Sequence, residues 1–169
     1  MKILFLHGLE SGPHGSKYQA LKNRFGDVLA PDCTGIFDAE QRLVVILDTL
    51  RDEKGPFLVV GSSMGGLMAL LLERRAPELV AGMILCAPAL HRDEAVGLKA
   101  EGLPPTVIIH GVNDEVVPIS AGRNFGVRLI EVEDDHRLSR SMELILNEVA
   151  SMRALLEREV SKLPREDDR

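Results

Sequence analysis

A serine flanked by glycines is the clearest chemical signal in this sequence. Ser63 is the central residue of Gly61-Ser62-Ser63-Met64-Gly65, a G-x-S-x-G pattern that follows an apolar run and precedes a helical stretch. In a strand–turn–helix setting such a turn is strained and holds the serine hydroxyl clear of the sheet. Gly61 and Gly65 remove side chains that would collide there. Met64 can direct its backbone N–H at a developing oxyanion, so the pattern predicts acyl transfer through Ser63.

An acid and a base follow in the order that this chemistry requires. Asp114 comes after the apolar run 106–109, and His136 comes after the run 128–132. We expect His136 to take the serine proton and Asp114 to hold the imidazole in the correct tautomer. Leu9, after the first apolar run, offers a second backbone N–H to the oxyanion. Four strand ends would thus supply nucleophile, acid, base and oxyanion hole.

Rival residues exist for the acid and for the base. Glu115, Asp134 and Asp135 are alternative carboxylates. We favour Asp114 because of its distance past the His110-Gly111 pair. His110 is an alternative base, but its position at a strand end ahead of a glycine is typical of a buried histidine with its hydrogen bonds satisfied.

Other polar residues near these strand ends have weaker signals. We expect His7 to shape the turn that presents Leu9. Ser11 and His14 lie in the polar loop that follows, and they are candidates for substrate contact, with plain solvation of the loop as the simpler interpretation. The 5 histidines have no H-x-x-x-H or H-E-x-x-H spacing, so we expect no metal site.

The elements that must position these residues alternate between strands and helices. Apolar runs of strand length occupy residues 3–6, 27–30, 57–60, 83–86, 106–109 and 128–132. Helix-period stretches occupy residues 16–25, 38–51, 64–75 and 137–160. This alternation predicts an α/β fold with a parallel, doubly wound sheet. Ligands bind such sheets beyond the carboxyl ends of the strands, where the residues above lie.

Two of the helices carry more specific expectations. Asp38 is the expected N-cap of the second helix, whose apolar stripe consists of Leu43, Val44, Leu47 and Leu50. The last helix has a stripe consisting of Leu138, Met142, Ile145, Val149, Met152 and Leu156. We interpret this stripe as a core face, with a dimer seam as the alternative, so monomer and homodimer both stay open.

Composition and charge exclude several classes of protein. The 169 residues are 45% hydrophobic and 27% charged, which is typical of one folded domain, here 1–160 with a short charged tail at 161–169. The net charge of −6 argues against a nucleic-acid partner. No apolar run approaches a membrane span, and the N-terminus lacks the pattern of a signal peptide, so we expect a cytoplasmic protein.

These motifs resemble those of a known superfamily. The stretch 5–17, which begins Phe-Leu-His-Gly-Leu-Glu, and the Ser63 motif are similar to those of small, lidless serine esterases of the α/β-hydrolase superfamily, the YqiA-like esterases. Relatives often have glycines ahead of the catalytic histidine, whereas this chain has Asp134 and Asp135. The resemblance covers nearly the whole chain.

The resemblance implies both a fold and an activity. The fold would be a minimal three-layer α/β sandwich with about six parallel strands in the order 2-1-3-4-5-6, with little or no cap. Residues 88–105 would leave room for one short helix, at 91–99. The activity would be that of a serine hydrolase acting on a small-molecule acyl ester or thioester, with no cofactor, through Ser63, Asp114 and His136. A non-catalytic protein that uses the same fold to bind a ligand or partner is the alternative.

Overall fold

Parallel strands form one sheet in this protein. The structure is a computed structural model that describes residues 1–162. Its strands are β1 (Ile3–Leu6), β2 (Val28–Leu29), β3 (Phe57–Ser62), β4 (Val80–Cys86), β5 (Thr106–Gly111) and β6 (Arg128–Val132). Their order is β2-β1-β3-β4-β5-β6, and every neighbouring pair is parallel, as predicted. The carboxyl ends of all six strands therefore meet at one edge of the sheet.

Helices cover both faces of the sheet. The described residues form α1 (Ser16–Phe25), α2 (Ala39–Leu50), α3 (Met64–Arg75), α4 (Ile119–Phe125) and α5 (Met142–Lys162). Buried side chains of α1 and α5 pack in one core cluster, and those of α2 and α3 pack in a second. Phe125 of α4 packs against the second cluster. The predicted three-layer sandwich is confirmed.

The alternation of side chains along each strand explains the two clusters. In β1, Ile3 and Phe5 belong to the cluster of α1 and α5, whereas Leu4 and Leu6 belong to the cluster of α2 and α3. Successive residues of a strand point to opposite faces, so a strand covered on both faces must be apolar throughout. This is why the strands read as continuous apolar runs in the sequence.

Helix α2 begins as predicted, and Leu43 and Leu50 of its predicted stripe are buried. The Asp38 carboxylate accepts the N–H of Gln41 at 2.8 Å, which confirms the N-cap. The predicted stripe included Val44, which is 59% exposed. Ile46 and the charged Arg42 are buried in its place. The buried positions 39, 42, 43, 46 and 50 recur with the period of the helix. Because one of them is the charged Arg42, a search for apolar residues alone does not find the whole buried face.

Helix α5 begins at Met142 and not at residue 137 as predicted. Leu138 has φ 56°, a left-handed conformation through which a helix does not continue. The buried residues of α5 are Ile145, Leu146, Val149, Met152 and Leu156, and all of them pack in the cluster that α5 shares with α1 and one face of the sheet. The apolar stripe is therefore a core face. Ser161 and Lys162 continue the helix, and the remainder of the predicted tail, 163–169, lies outside the described residues.

The connection between β4 and β5 forms less helix than predicted. The expected helix at 91–99 is reduced to a single 3-10 turn at Asp93–Ala95. A cavity of about 200 Å³ lies between residues 97–103 and the second half of α3, where Leu70 and Glu73 line it. This part of the connection thus runs beside α3.

Helix α4 was not predicted, although its boundaries carry ordinary signals. Pro118 precedes it, and Gly126 follows it with φ 94°. A proline before a short segment and a left-handed glycine after it are typical of helix ends. Within residues 1–162, no helix combines the length and the apolar character that a membrane crossing needs.

Candidate active site

The Ser63 turn joins β3 directly to α3. Ser63 has φ 55° and ψ −116°, a conformation that residues with a side chain rarely adopt. Its N–H donates to the carbonyl of Cys86 at 2.9 Å, and its carbonyl accepts the N–H of Gly66 at 2.9 Å and of Ala89 at 3.0 Å. These hydrogen bonds hold the strained turn between the end of β4 and the first turn of α3.

Glycines allow α3 to approach the sheet at this turn. A Cβ on Gly65 would overlap the carbonyl oxygen of Leu6 at the end of β1, and a Cβ on Gly61 would overlap the carbonyl of Gly65. A Cβ on Gly66 would lie 2.8 Å from Cβ of Pro88. The prediction that side chains at 61 and 65 would collide is confirmed.

The structure brings together the three side chains that the sequence singled out. Nε2 of His136 lies 3.0 Å from Oγ of Ser63, and Nδ1 of His136 lies 2.7 Å from Oδ2 of Asp114. The His136 side chain is 21% exposed, whereas the Asp114 side chain is fully buried. A hydroxyl, an imidazole and a carboxylate are therefore in series, and this arrangement can transfer a proton away from Ser63.

The carboxylate of Asp114 is held by its own loop. Its Oδ1 accepts the N–H of Val116 and of Val117, each at 2.8 Å. Burial raises the pKa of Asp114, but the hydrogen bonds from Val117, His136 and Val116 outweigh burial and hold the pKa below its usual value. The group therefore stays ionised at neutral pH.

A second histidine reaches the same carboxylate. Nε2 of His110 lies 3.1 Å from Oδ2 of Asp114 and 3.1 Å from the carbonyl oxygen of Val117. The ring is completely buried, and its Nδ1 has no hydrogen-bond partner among the described residues. The expectation of a fully satisfied histidine is thus correct for one ring nitrogen only. His110 contacts Asp114, whereas it is His136 that contacts Ser63.

Asp134 and Asp135 shape the loop that carries His136. Asp134 is buried, and its Oδ2 accepts the N–H of Ser141 at 3.0 Å and the hydroxyl of Ser141 at 2.9 Å. Its Oδ1 accepts the N–H of Asp135, and Asp135 in turn accepts the N–H of Arg137 at 2.9 Å. The carboxylates of these two alternative acids therefore accept hydrogen bonds within the loop. They stand where relatives often have glycines.

The turn after β1 borders Ser63. A Cβ on Gly8 would lie 3.5 Å from Cβ of Ser63. Nδ1 of His7 lies 2.8 Å from the carbonyl oxygen of Gly8, and Nε2 of His7 accepts the N–H of Cys33 at 3.0 Å. The neutral ring that donates from Nδ1 satisfies both contacts, and burial lowers the pKa of His7 in agreement with this form. As expected, His7 shapes the turn that leads to Leu9.

Two N–H groups at this edge have no carbonyl to bind. No backbone carbonyl of residues 1–162 accepts the N–H of Leu9 or of Met64. Leu9 follows the turn beside Ser63, and Met64 is the first residue of α3, where helix N–H groups are unpaired. Both can therefore donate to a negatively charged oxygen.

Sequence reasoning missed a buried arginine beneath this turn. The Arg42 side chain extends from α2 and is 1% exposed. Its guanidinium donates to the carbonyl of His7 at 3.0 Å and to the carbonyl of Gly8 at 3.2 Å. It also donates to the carbonyls of Cys33 and Ile36. The only signal in the sequence is that position 42 falls on the buried face of α2.

The two candidates for substrate contact are both exposed. Oγ of Ser11 would lie 3.6 Å from a Cβ on Gly8, which places Ser11 beside the turn. The ring of His14 packs against the ring of Tyr18 in α1, with 4.7 Å between the ring centroids. Substrate contact by Ser11 or His14 stays a prediction.

The other features of the structure that could form a site lie apart from Ser63 or lack the required residues. Within residues 1–162, no three His, Cys, Asp or Glu side chains are grouped to hold a metal ion. A cavity of about 570 Å³ is lined by Lys2, Asp27, Lys54 and Glu157, among others. It lies at the amino ends of the strands, on the edge opposite Ser63, and so it does not belong to the Ser63 site.

Comparison with known proteins gives one family and one kind of fold. The sequence model of the family described as "Alpha/beta hydrolase family" matches residues 3–164. No curated protein matches the sequence significantly. Among solved structures, a protein of Xanthomonas campestris pv. campestris assigned to the hydrolases of the alpha/beta superfamily has a TM-score of 0.73 at 28% identity. The match covers 89% of this chain and 96% of that one.

More distant structures have the same fold. Est1E from Butyrivibrio proteoclasticus has a TM-score of 0.75 at 18% identity, with 93% of this chain and 88% of that chain covered. Alpha/beta hydrolase domain-containing protein 10 from mouse has a TM-score of 0.76 at 19% identity, with 92% and 90% covered. Similarity at this level of identity concerns the fold alone.

Proposed function

The chain belongs to the alpha/beta hydrolase family, and from this premise we propose that it is a serine hydrolase that cleaves a small carboxylic ester or thioester. The observation that supports this most is the unbroken series from Oγ of Ser63 to Nε2 of His136, at 3.0 Å, and from Nδ1 of His136 to Oδ2 of Asp114, at 2.7 Å. Ser63 would be the nucleophile, His136 the base and Asp114 the acid.

The first half of the reaction forms an acyl-enzyme. Ser63 attacks the acyl carbonyl while Nε2 of His136 accepts the hydroxyl proton. Ionised Asp114 stabilises the imidazolium that results. The N–H groups of Leu9 and Met64 bind the oxyanion of the tetrahedral intermediate. The intermediate breaks down when His136 donates its proton to the leaving alcohol or thiol, and the acyl group stays on Ser63.

The second half of the reaction releases the acid. Water attacks the acyl-enzyme while His136 again accepts a proton. The same two N–H groups bind the second oxyanion, and the proton returns from His136 to Oγ of Ser63. A carboxylic acid leaves, and the enzyme is restored without a cofactor.

A panel of substrates tests this proposal. Aryl esters and acyl thioesters of graded chain length are assayed with the wild type, with Ser63→Ala as the blank and with Ser62→Ala as a matched control. Ser62 is adjacent to Ser63 but is the last residue of β3. Removal of its hydroxyl should therefore change turnover only a few-fold. We expect Ser63→Ala to lower kcat by roughly 10³-fold or more while the protein stays folded. Equal turnover by wild type and Ser63→Ala would contradict the proposal.

The same panel separates the enzyme from a binding protein on this scaffold. A binding protein would hold acyl compounds without releasing product. Comparison of the ester and thioester series then identifies the leaving group, and the dependence on chain length identifies the acyl group.

A further inference from the structure

We infer that Arg42 is a positioning residue of the oxyanion hole, acting through the peptide unit that joins Gly8 to Leu9. This inference rests on the proposed function, since it concerns the oxyanion that Ser63 would create. Arg42 does not reach the reacting atoms in this arrangement. It holds and polarises the group that does.

Arg42 contacts one end of the peptide unit whose other end is the Leu9 N–H. The carbonyl of Gly8 and the N–H of Leu9 belong to the same rigid plane, and they point in opposite directions. The Gly8 oxygen receives the Arg42 guanidinium at 3.2 Å and Nδ1 of His7 at 2.8 Å. Two donors on this oxygen fix the plane of the peptide, and they therefore also fix the direction of the Leu9 N–H.

Backbone carbonyls surround the buried Arg42 side chain. The guanidinium is buried, and all its hydrogen bonds go to backbone carbonyls, those of His7, Gly8, Cys33 and Ile36. No carboxylate of the described residues pairs with it. A buried cation without a counter-ion is costly to fold around. Its charge is therefore shared only with backbone carbonyls, two of which belong to a turn that borders Ser63.

The charge of Arg42 also acts on the Leu9 N–H through the peptide unit. A cation that binds a carbonyl oxygen draws electron density along the peptide and makes the attached N–H a stronger donor. The Leu9 N–H would therefore bind an oxyanion more tightly than the N–H of an ordinary turn. The same positive charge favours the intermediate over the uncharged ground state, so its effect should be on kcat more than on KM.

The test uses Arg42→Lys, which keeps a positive charge but loses the planar fork that spans several carbonyls. Leu50→Ala is the matched control, because Leu50 is buried in the same helix about 12 Å further along its axis. Both variants should lower the midpoint of thermal unfolding. All assays are carried out well below both midpoints.

We expect Arg42→Lys to lower kcat for an aryl ester by about 10-fold to 100-fold, somewhat less than the loss of an oxyanion donor itself. KM should change by no more than a few-fold. The affinity for a trifluoromethyl ketone, which forms an oxyanion on Ser63, should fall in parallel with kcat/KM. Leu50→Ala should leave both kcat/KM and the affinity for the ketone unchanged. Where Arg42→Ala also folds, added ethylguanidinium should restore part of kcat.

An NMR measurement reads the peptide directly and without substrate. In protein labelled with ¹⁵N-leucine, the Leu9 resonance should move in Arg42→Lys and not in Leu50→Ala, because the ¹⁵N shift responds to hydrogen bonding at the preceding carbonyl. The inference about Arg42 would be overturned if Arg42→Lys were active, left the Leu9 resonance in place and bound the ketone as tightly as the wild type. That result would leave the proposed function standing. A wild type that hydrolyses no ester or thioester would overturn the proposed function, and the oxyanion role of Arg42 with it.

Discussion

Nδ1 of His136 and Oδ2 of Asp114 are 2.7 Å apart, and the same Oδ2 lies 3.1 Å from Nε2 of the buried His110. An ionised carboxylate only accepts hydrogen bonds, so His136 must donate from Nδ1, and in the neutral ring Nε2 is then left unprotonated toward Ser63. Asp114 thus favours the tautomer that the proposed base requires.

Asp114→Asn should lower kcat by roughly 10⁴-fold with little change in KM. An amide can donate to Nδ1 of His136, and the ring would then carry its proton on Nε2, where it cannot accept the proton of Ser63. Steady-state kinetics with an aryl ester measures the effect. Asn113→Ala, in the adjacent exposed position, is the control and should retain most of the activity. Near-wild-type kcat in Asp114→Asn would exclude Asp114 as the acid.

The strained conformation of Ser63 predicts an unusual effect on stability. Ser63→Gly should be more stable than Ser63→Ala by about 1 kcal/mol, because glycine relieves strain at φ 55° despite its larger loss of backbone entropy. Urea unfolding of the two inactive variants measures the difference. In the interior of α3, Ala69→Gly makes the same alanine-to-glycine change and should be destabilising by about 1–2 kcal/mol, because the loss of a buried methyl group adds to the lower helix propensity of glycine. If glycine were less stabilising than alanine at position 63 as well as at position 69, position 63 would not be strained.

The close approach of α3 to β1 predicts that Gly65 tolerates no side chain. Gly65→Ala should lower the free energy of unfolding by about 3 kcal/mol or prevent folding, because its Cβ would overlap the carbonyl oxygen of Leu6. Gly12→Ala is the control, since the nearest atom to its Cβ would be Oγ1 of Thr34 at 3.6 Å. Denaturant unfolding and the yield of folded protein are measured. A Gly65→Ala variant as stable as Gly12→Ala would refute this packing.

The buried carboxylate of Asp134 predicts a dependence of stability on pH. Burial raises the pKa of Asp134, but the N–H of Asp135 and the hydroxyl and N–H of Ser141 hold it below its usual value of 3.8. A lowered folded-state pKa means that ionised Asp134 contributes stability above about pH 4, and that this contribution is lost as the pH falls through the folded pKa.

Asp134→Asn should therefore be less stable than the wild type by about 1–3 kcal/mol at neutral pH. The difference should narrow as the pH falls to about 3. Urea unfolding at a series of pH values measures it. Asp135→Asn, at an exposed position, should stay within about 0.5 kcal/mol of the wild type. A deficit for Asp134→Asn that does not depend on pH would exclude an ionised Asp134 as its origin.

Much of the fold and of the candidate site could be predicted because both depend on local patterns. A strand buried on both faces must be a continuous apolar run, as at β1 and β5. The parallel topology then brings residues that follow different strands to one edge, so Ser63, Asp114 and His136 could be placed together from their positions alone. The glycines of the Ser63 turn have a steric reason that is visible in the motif itself.

The remainder depends on contacts that no local pattern encodes. Arg42 is buried because carbonyls of two separate loops surround it, and backbone carbonyls have no sequence signature. The start of α5 is set by the hydrogen bonds of Asp134 with Ser141 and by the left-handed Leu138, so the apolar period of the helix extends past its actual boundary.

The central claim is that Ser63 is a nucleophile activated by His136. Mass spectrometry of the protein after treatment with a fluorophosphonate tests it most directly, because such a probe forms a stable covalent bond with an activated serine in place of an acyl group. We expect a single adduct on the peptide that contains Ser63, strongly slowed in a His136→Ala variant and absent in Ser63→Ala. No adduct in the folded wild-type protein, or an adduct on another residue such as Ser62, would contradict the account.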